Sequence, residues 1–98
     1  MDLNNIKDSI NEIAKNKKWY SEKSNKPQTP RNLAISISLE AAELLECFQW
    51  SDDAETEQVE DELADIVIFA AQLSNVMKID LSKVVERKLQ INKQREWK

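Results

Sequence analysis

The sequence predicts an all-α fold, a four-helix bundle that self-associates. The first observation behind this is composition. The 98 residues include no Gly and only two Pro, and these are the residues that punctuate turns and hairpins and are poor in helices. The second is periodicity: apolar residues recur at three- and four-residue steps in four separate stretches, the signature of amphipathic helices. The third is size. A chain this short makes one domain, residues 1–98, and buries only a modest fraction of its own surface, so self-association is expected.

The first helix is read over residues 2–20, where Leu3, Ile6, Ile10 and Ile13 form one stripe. Residues 21–30 are polar and hold both prolines, which makes them a loop. That loop ends on Thr29 and Pro30, a capping residue followed by a residue suited to the first helical position. The second helix then runs to about Trp50, with Leu33, Ile37, Ala41, Leu44, Leu45 and Phe48 as a broad apolar face. A break over residues 51–56 separates it from a third helix, read from Glu57 to Met77. Its stripe is Leu63, Ile66, Val67, Ala70, Leu73 and Met77, apolar over more than one face. Asp80 is placed to cap a fourth helix carrying Leu81, Val84, Val85 and Leu89.

Charge and residue content exclude several functions. The net charge of -4 leaves no basic footprint for a nucleic-acid polymer. With no His in the chain, a catalytic base must be a carboxylate or a metal-bound hydroxide. The single Cys47 cannot form an intramolecular disulfide, and neither a leader nor a long apolar run is visible, so a cytoplasmic protein without a membrane span is expected.

The informative residues are two acidic pairs of one spacing, Glu40-x-x-Glu43 and Glu62-x-x-Asp65. Residues three apart are neighbours on a helix surface, so each pair aims two carboxylates at one point. None of the four has a Lys or Arg three or four residues away, and local ion pairing does not account for them. Water-excluded carboxylates repel one another and protonate. A hard divalent cation with an all-oxygen shell relieves that repulsion, and the two pairs are therefore read as a metal site. By contrast Glu55, Glu57, Glu60 and Asp61 suit the start of a helix dipole and receive no role.

Other residues keep two readings. Trp50 either stacks on a base or closes the core, and Trp19 and Tyr20 share that ambiguity. Phe69, one turn after Asp65, is core or a pocket wall. Lys88 and Asn92 continue the row begun by Leu81 and Val85, as a phosphate clamp or as the polar end of a helix.

The spacing of the pairs across eighteen residues resembles the signature of the all-α nucleoside triphosphate pyrophosphatases, in particular the MazG-like and dCTP pyrophosphatase branch. Supporting text lies in Pro30-Arg31-Asn32-Leu33, Phe48-Gln49-Trp50, Glu62-Leu63-Ala64-Asp65 and Ile79-Asp80-Leu81, with Lys88 and Asn92 beyond. Gln28 stands where that branch tends to have His, and Phe69 where it can have Tyr. The resemblance implies hydrolysis of a (deoxy)nucleoside triphosphate, dCTP or dATP for example, between the α- and β-phosphates in nucleotide-pool house-cleaning. It implies Mg²⁺, with Mn²⁺ as a substitute, held by Glu40, Glu43, Glu62 and Asp65. Glu43, or Glu40, would act on the attacking water. Lys88, Asn92, Asn32, Trp50, Gln28 and Phe69 would contact the substrate. Members build their sites across subunits, which implies a four-helix MazG-like bundle assembled as a dimer or a dimer of dimers, that is, a homodimer or homotetramer. The alternatives are a dUTPase-like or modified-nucleotide hydrolase, and a non-catalytic helical regulator.

Overall fold

The computed structural model of the chain describes residues 2–17 and 27–95. These form four α-helices, α1 (Leu3–Lys17), α2 (Pro30–Glu46), α3 (Thr56–Val76) and α4 (Leu81–Gln94), with no strand among the described residues. The all-α fold and the helix count match the sequence. The predicted continuation of the first helix to residue 20, with Trp19 and Tyr20, lies outside the described residues.

Local chemistry sets the helix starts. Asp2 accepts the backbone N–H of Asn5 through Oδ1 at 2.8 Å, and Thr29 Oγ1 accepts that of Asn32 at 3.1 Å with Pro30 next in line. Asp80 Oδ1 accepts from the N–H of Lys83 at 3.2 Å. Each satisfies a donor that the first turn of a helix leaves without an intrahelical partner. α3 begins after Glu55 without a side-chain cap.

The stops are less regular. α2 ends at Glu46 rather than near Trp50, and residues 47–50 are turns and bends. α3 closes in a Schellman arrangement: Ile79 N–H donates to Ser74 O at 2.8 Å and Lys78 N–H to Asn75 O at 3.2 Å. That geometry requires a left-handed residue. In a chain without glycine it falls on Lys78, at φ 57°.

α2 and α3 pack most extensively, with α1 against α3 and α4 resting lightly on α1. Across α2 and α3, Glu43, Glu46 and Cys47 face Gln58, Asp61 and Glu62, so the pair is an antiparallel hairpin. α1 is tied to the far end of α3 by two long-range hydrogen bonds. Lys7 Nζ donates to Ile79 O at 2.6 Å, and Asn75 Nδ2 donates to Lys7 O at 3.1 Å.

Among the described residues the buried core is small, comprising Ile10, Ala14, Leu33 and Ala71 with the polar Gln72 and Ser74. Ser74 satisfies its hydroxyl on Ala71 O at 2.7 Å. The broad apolar faces read from the sequence are thus mostly uncovered within one chain: Leu45, Leu63, Val67, Met77, Val85 and Leu89 are all exposed. Four helices of 14 to 21 residues can bury one stripe each, and α2 and α3 carry more apolar surface than one stripe. Trp50 is 90% exposed, which removes it from the core of the chain. No described helix is long and apolar enough to cross a membrane.

Candidate metal centre

Register on the hairpin brings the acidic residues together. Glu62, Asp65, Phe69 and Gln72 follow one another at steps of three and four along α3, and Leu33, Ser36, Glu40, Glu43 and Cys47 do the same along α2, so each set is a single stripe. Where the stripes meet, carboxylate oxygens of Glu40, Glu62 and Asp65 lie within 4.8 Å of one another. Each of the three residues is half-buried. Glu43 is exposed and stands at the edge, lining with Glu62 an open cavity of about 390 Å³.

The electrostatics are those of like charges held too close. Glu40 is pushed up from 4.5 to about 7, first by a hydrogen bond shared with Glu62, then by desolvation, then by a hydrogen bond and charge repulsion from Glu43 and repulsion from Asp65. A hydrogen bond between two carboxyls requires a proton on one of them, so the cluster retains a proton in a pH range where isolated carboxylates have lost theirs. Oε2 of Glu40 and Oε2 of Glu62 are sealed from solvent with no hydrogen-bond donor. Orphaned, converging carboxylate oxygens fit a hard divalent cation, which would replace the proton and give both oxygens a partner.

The other predicted site residues are dispersed. Asn32 is half-buried and uses its side chain to donate to Pro27 O at 2.9 Å, bracing the entry to α2. Gln28 is half-buried just ahead of it, and Phe69 is half-buried one turn beyond Asp65. Trp50 projects into solvent past the end of α2. Lys88 is exposed and Asn92 half-buried on α4, whose main packing partner is α1, and neither lines the cavity beside the carboxylates.

That cavity is also lined by residues to which the sequence assigned no role: Glu46, Cys47, Gln58 and Asp61. The signal was present, because positions 43, 46 and 47 and positions 58, 61 and 62 continue the helical steps of the two stripes. Cys47 is a half-buried free thiol whose Sγ lies 3.5 Å from Glu43 O.

Comparison with known proteins gives this arrangement its relatives. A pyrophosphatase from Archaeoglobus fulgidus superposes with a TM-score of 0.80 at 32% identity, covering 98% of this chain and 93% of that one. The rat protein named dCTP pyrophosphatase 1 is 34% identical over 76 residues, and its human counterpart 33%. Those matches take in 67% of this chain and 45% of the relative; the chain spans about half the length of the curated relatives it matches. The pattern of the MazG-like family matches residues 35–98, the stretch that holds both acidic pairs and the last helix. Shared helices and a matched stretch containing the whole carboxylate cluster lead to one assignment: this chain belongs to the MazG-like family.

Proposed function

We propose that residues 1–98 form one catalytic unit that hydrolyses nucleoside triphosphates, with deoxyribonucleotides such as dCTP or dATP favoured, to a monophosphate and pyrophosphate. The observation that carries this is the meeting of Glu40, Glu62 and Asp65, with a sealed, unpartnered oxygen on each of the two glutamates, in a chain whose relatives are named pyrophosphatases. Glu40, Glu62 and Asp65, joined by Glu43 from the edge, would hold Mg²⁺, or Mn²⁺ in its place. When bound, the ion supplies charge neutralisation for the triphosphate and polarises the phosphoryl group.

The chain's own residues do the rest. Water attacks the α-phosphorus, the bond from that phosphorus to the bridging oxygen of the β-phosphate breaks, and pyrophosphate leaves with the bridging oxygen. Glu43, exposed beside the cavity, orients the water and accepts its proton at the carboxylate. Lys88 and Asn92, which do not line the cavity of their own chain, would take phosphate oxygens at a site completed across subunits. Phe69 and Trp50 offer flat faces to the base, while Asn32 and Gln28 shape the entry to α2. The chain works as a homodimer or a dimer of dimers. Its free thiol suits a reducing, cytoplasmic setting.

The test is pyrophosphate release from a panel of canonical and modified nucleoside triphosphates with Mg²⁺, with Mn²⁺ or with EDTA. Turnover of at least one deoxyribonucleotide that stops under chelation is expected. Undiminished release in EDTA, or no turnover of any nucleotide with either metal, overturns the proposal.

A further inference from the structure

Polar groups buried in a fold are hydrogen-bonded as a rule, and each exception calls for a partner. Among the described residues two polar side chains are buried, Gln72 at 2% exposure and Ser74 at 3%. Ser74 donates to Ala71 O at 2.7 Å. Gln72 differs: its Nε2 is sealed from solvent with no acceptor. Leucine or methionine would fill that space without the cost, since an unmet buried donor loses more than one hydrogen bond returns.

Register ties this amide to the carboxylates. Gln72 lies seven residues after Asp65 on α3, and Leu33 lies seven before Glu40 on α2. Such a step returns to within about 20° of the same direction and advances about 10 Å along the helix. Because the helices run antiparallel and Glu40 meets Asp65, both steps lead the same way. Leu33 and Gln72 therefore close the end of the stripe that opens at Glu43 and Glu62, and Leu33 is fully buried as well. Ser36 and Phe69, both half-buried, stand between the two levels. The Ser36 hydroxyl donates to Asn32 O and the Asn32 amide to Pro27 O. Those neighbouring donors are engaged, whereas Nε2 of Gln72 is not.

We propose that Gln72 is a specificity-determining residue, its Nε2 donating to a ring nitrogen or carbonyl oxygen on the base of a nucleotide whose phosphates lie at the carboxylates. The advance of about 10 Å suits the reach of a nucleotide from its α-phosphorus to its base. A base lying along Phe69 turns its edge, which carries its acceptors, toward Gln72. Rotation about the side-chain torsions of Gln72 brings the amide to that edge, and such rotations are common where ligands bind. Glutamine reads adenine in nucleic acids in the same manner, by donating to a ring nitrogen. The inference rests on the proposed binding of a nucleoside triphosphate and adds the group that reads its base.

Calorimetry of the full chain with Mg²⁺ tests this without turnover, using α,β-imido analogues of the common deoxynucleoside triphosphates and inorganic triphosphate as the base-free probe. The parent is expected to bind at least one analogue more tightly than inorganic triphosphate. Gln72→Met keeps the length of the side chain and removes the amide. It is expected to weaken that analogue about five- to a hundredfold and to leave inorganic triphosphate unchanged. Without ligand its melting temperature is expected to hold or rise, because an unmet donor has been removed. Gln72→Leu gives the same comparison should Gln72→Met fail to fold. Unchanged preference among the analogues in the folded variant overturns the proposal, and so does equal weakening of inorganic triphosphate. A lower ligand-free melting temperature with unchanged preference assigns the amide to a buried water instead. Analogue binding that depends on Gln72, without hydrolysis of the natural nucleotides, sinks only the proposed hydrolysis. Hydrolysis with base preference unaltered in Gln72→Met sinks only this inference.

Discussion

At the scale of single residues, Glu40 carries the clearest consequence. Its carboxyl holds a proton up to about pH 7 in the fold, against an ordinary value of 4.5, so between those limits the folded chain binds more protons than the unfolded one. Stability of the metal-free protein therefore falls as pH rises through that window and levels off above it. Thermal melts in EDTA across the window are expected to show this decline, and Glu40→Gln is expected to flatten it. A parent that grows more stable from pH 5 to about 7 would contradict the shared proton. Because a cation must displace that proton, apparent metal affinity is expected to weaken as pH falls below 7. Asp65→Asn and Glu62→Gln are expected to lower kcat/KM roughly a hundredfold or more while raising the metal-free melting temperature, since each removes like-charge repulsion. Full activity with unchanged metal content in both would remove them from the site.

Single helices set different tests, concerned with how the chain enters and leaves regular structure. Thr29 caps α2, and Thr29→Ala is expected to cost about 1 kcal/mol, readable as a melting temperature lower by roughly 4–8 °C. Lys78 sits in the left-handed region that ends α3, a conformation costly for a residue with a Cβ. Lys78→Gly is expected to stabilise by about 0.5 kcal/mol, the relief of that cost less the added freedom of glycine in the unfolded chain. A lower melting temperature in Lys78→Gly would mean that the lysine side chain contributes more than its backbone strain removes. Past the end of α2, Trp50 is too exposed to support the chain's own core. Trp50→Leu is therefore expected to leave the monomer fold intact and, through loss of base stacking worth roughly 1–3 kcal/mol, to raise KM about five- to a hundred-fold. Parent-like nucleotide kinetics would place the base elsewhere.

On the scale of the whole molecule, the chain is an incomplete burial problem. Among the described residues, apolar surface remains open between α1 and α3 at Ile13, Leu63 and Val67, on the outer side of α2 where Leu45 is 73% exposed close to Phe48, and along α4 at Val85 and Leu89. Melting temperature is accordingly expected to rise with protein concentration, because association stabilises the fold by mass action. A melting temperature independent of concentration would indicate that these faces stay open in solution.

Local sequence set the four helices, the caps at two of their starts and the acidic character of the candidate site. Periodicity located four stripes, Thr29-Pro30 and Asp80 marked two starts, and two acidic pairs without cationic neighbours marked a place for a cation. These are local properties, set within one or two turns of helix. Tertiary structure alone decided that Glu40 meets Glu62 and Asp65 while Glu43 stands at the edge, and that Glu46 and Asp61 join the cavity wall. Spacing fixes the side of a helix from which a residue projects, but the rotation and register of the facing helix fix what it meets. The core differed for the same reason. Leu63 and Val67 read as core from their stripe, but they border an open cavity beside Ile6, Ile10 and Ile13 of α1, and the buried level fell instead to Leu33, Ala71 and the amide of Gln72. The end of α3 was hidden because its left-handed residue is Lys78 rather than a glycine, and only the backbone hydrogen bonds to Ser74 and Asn75 reveal the turn.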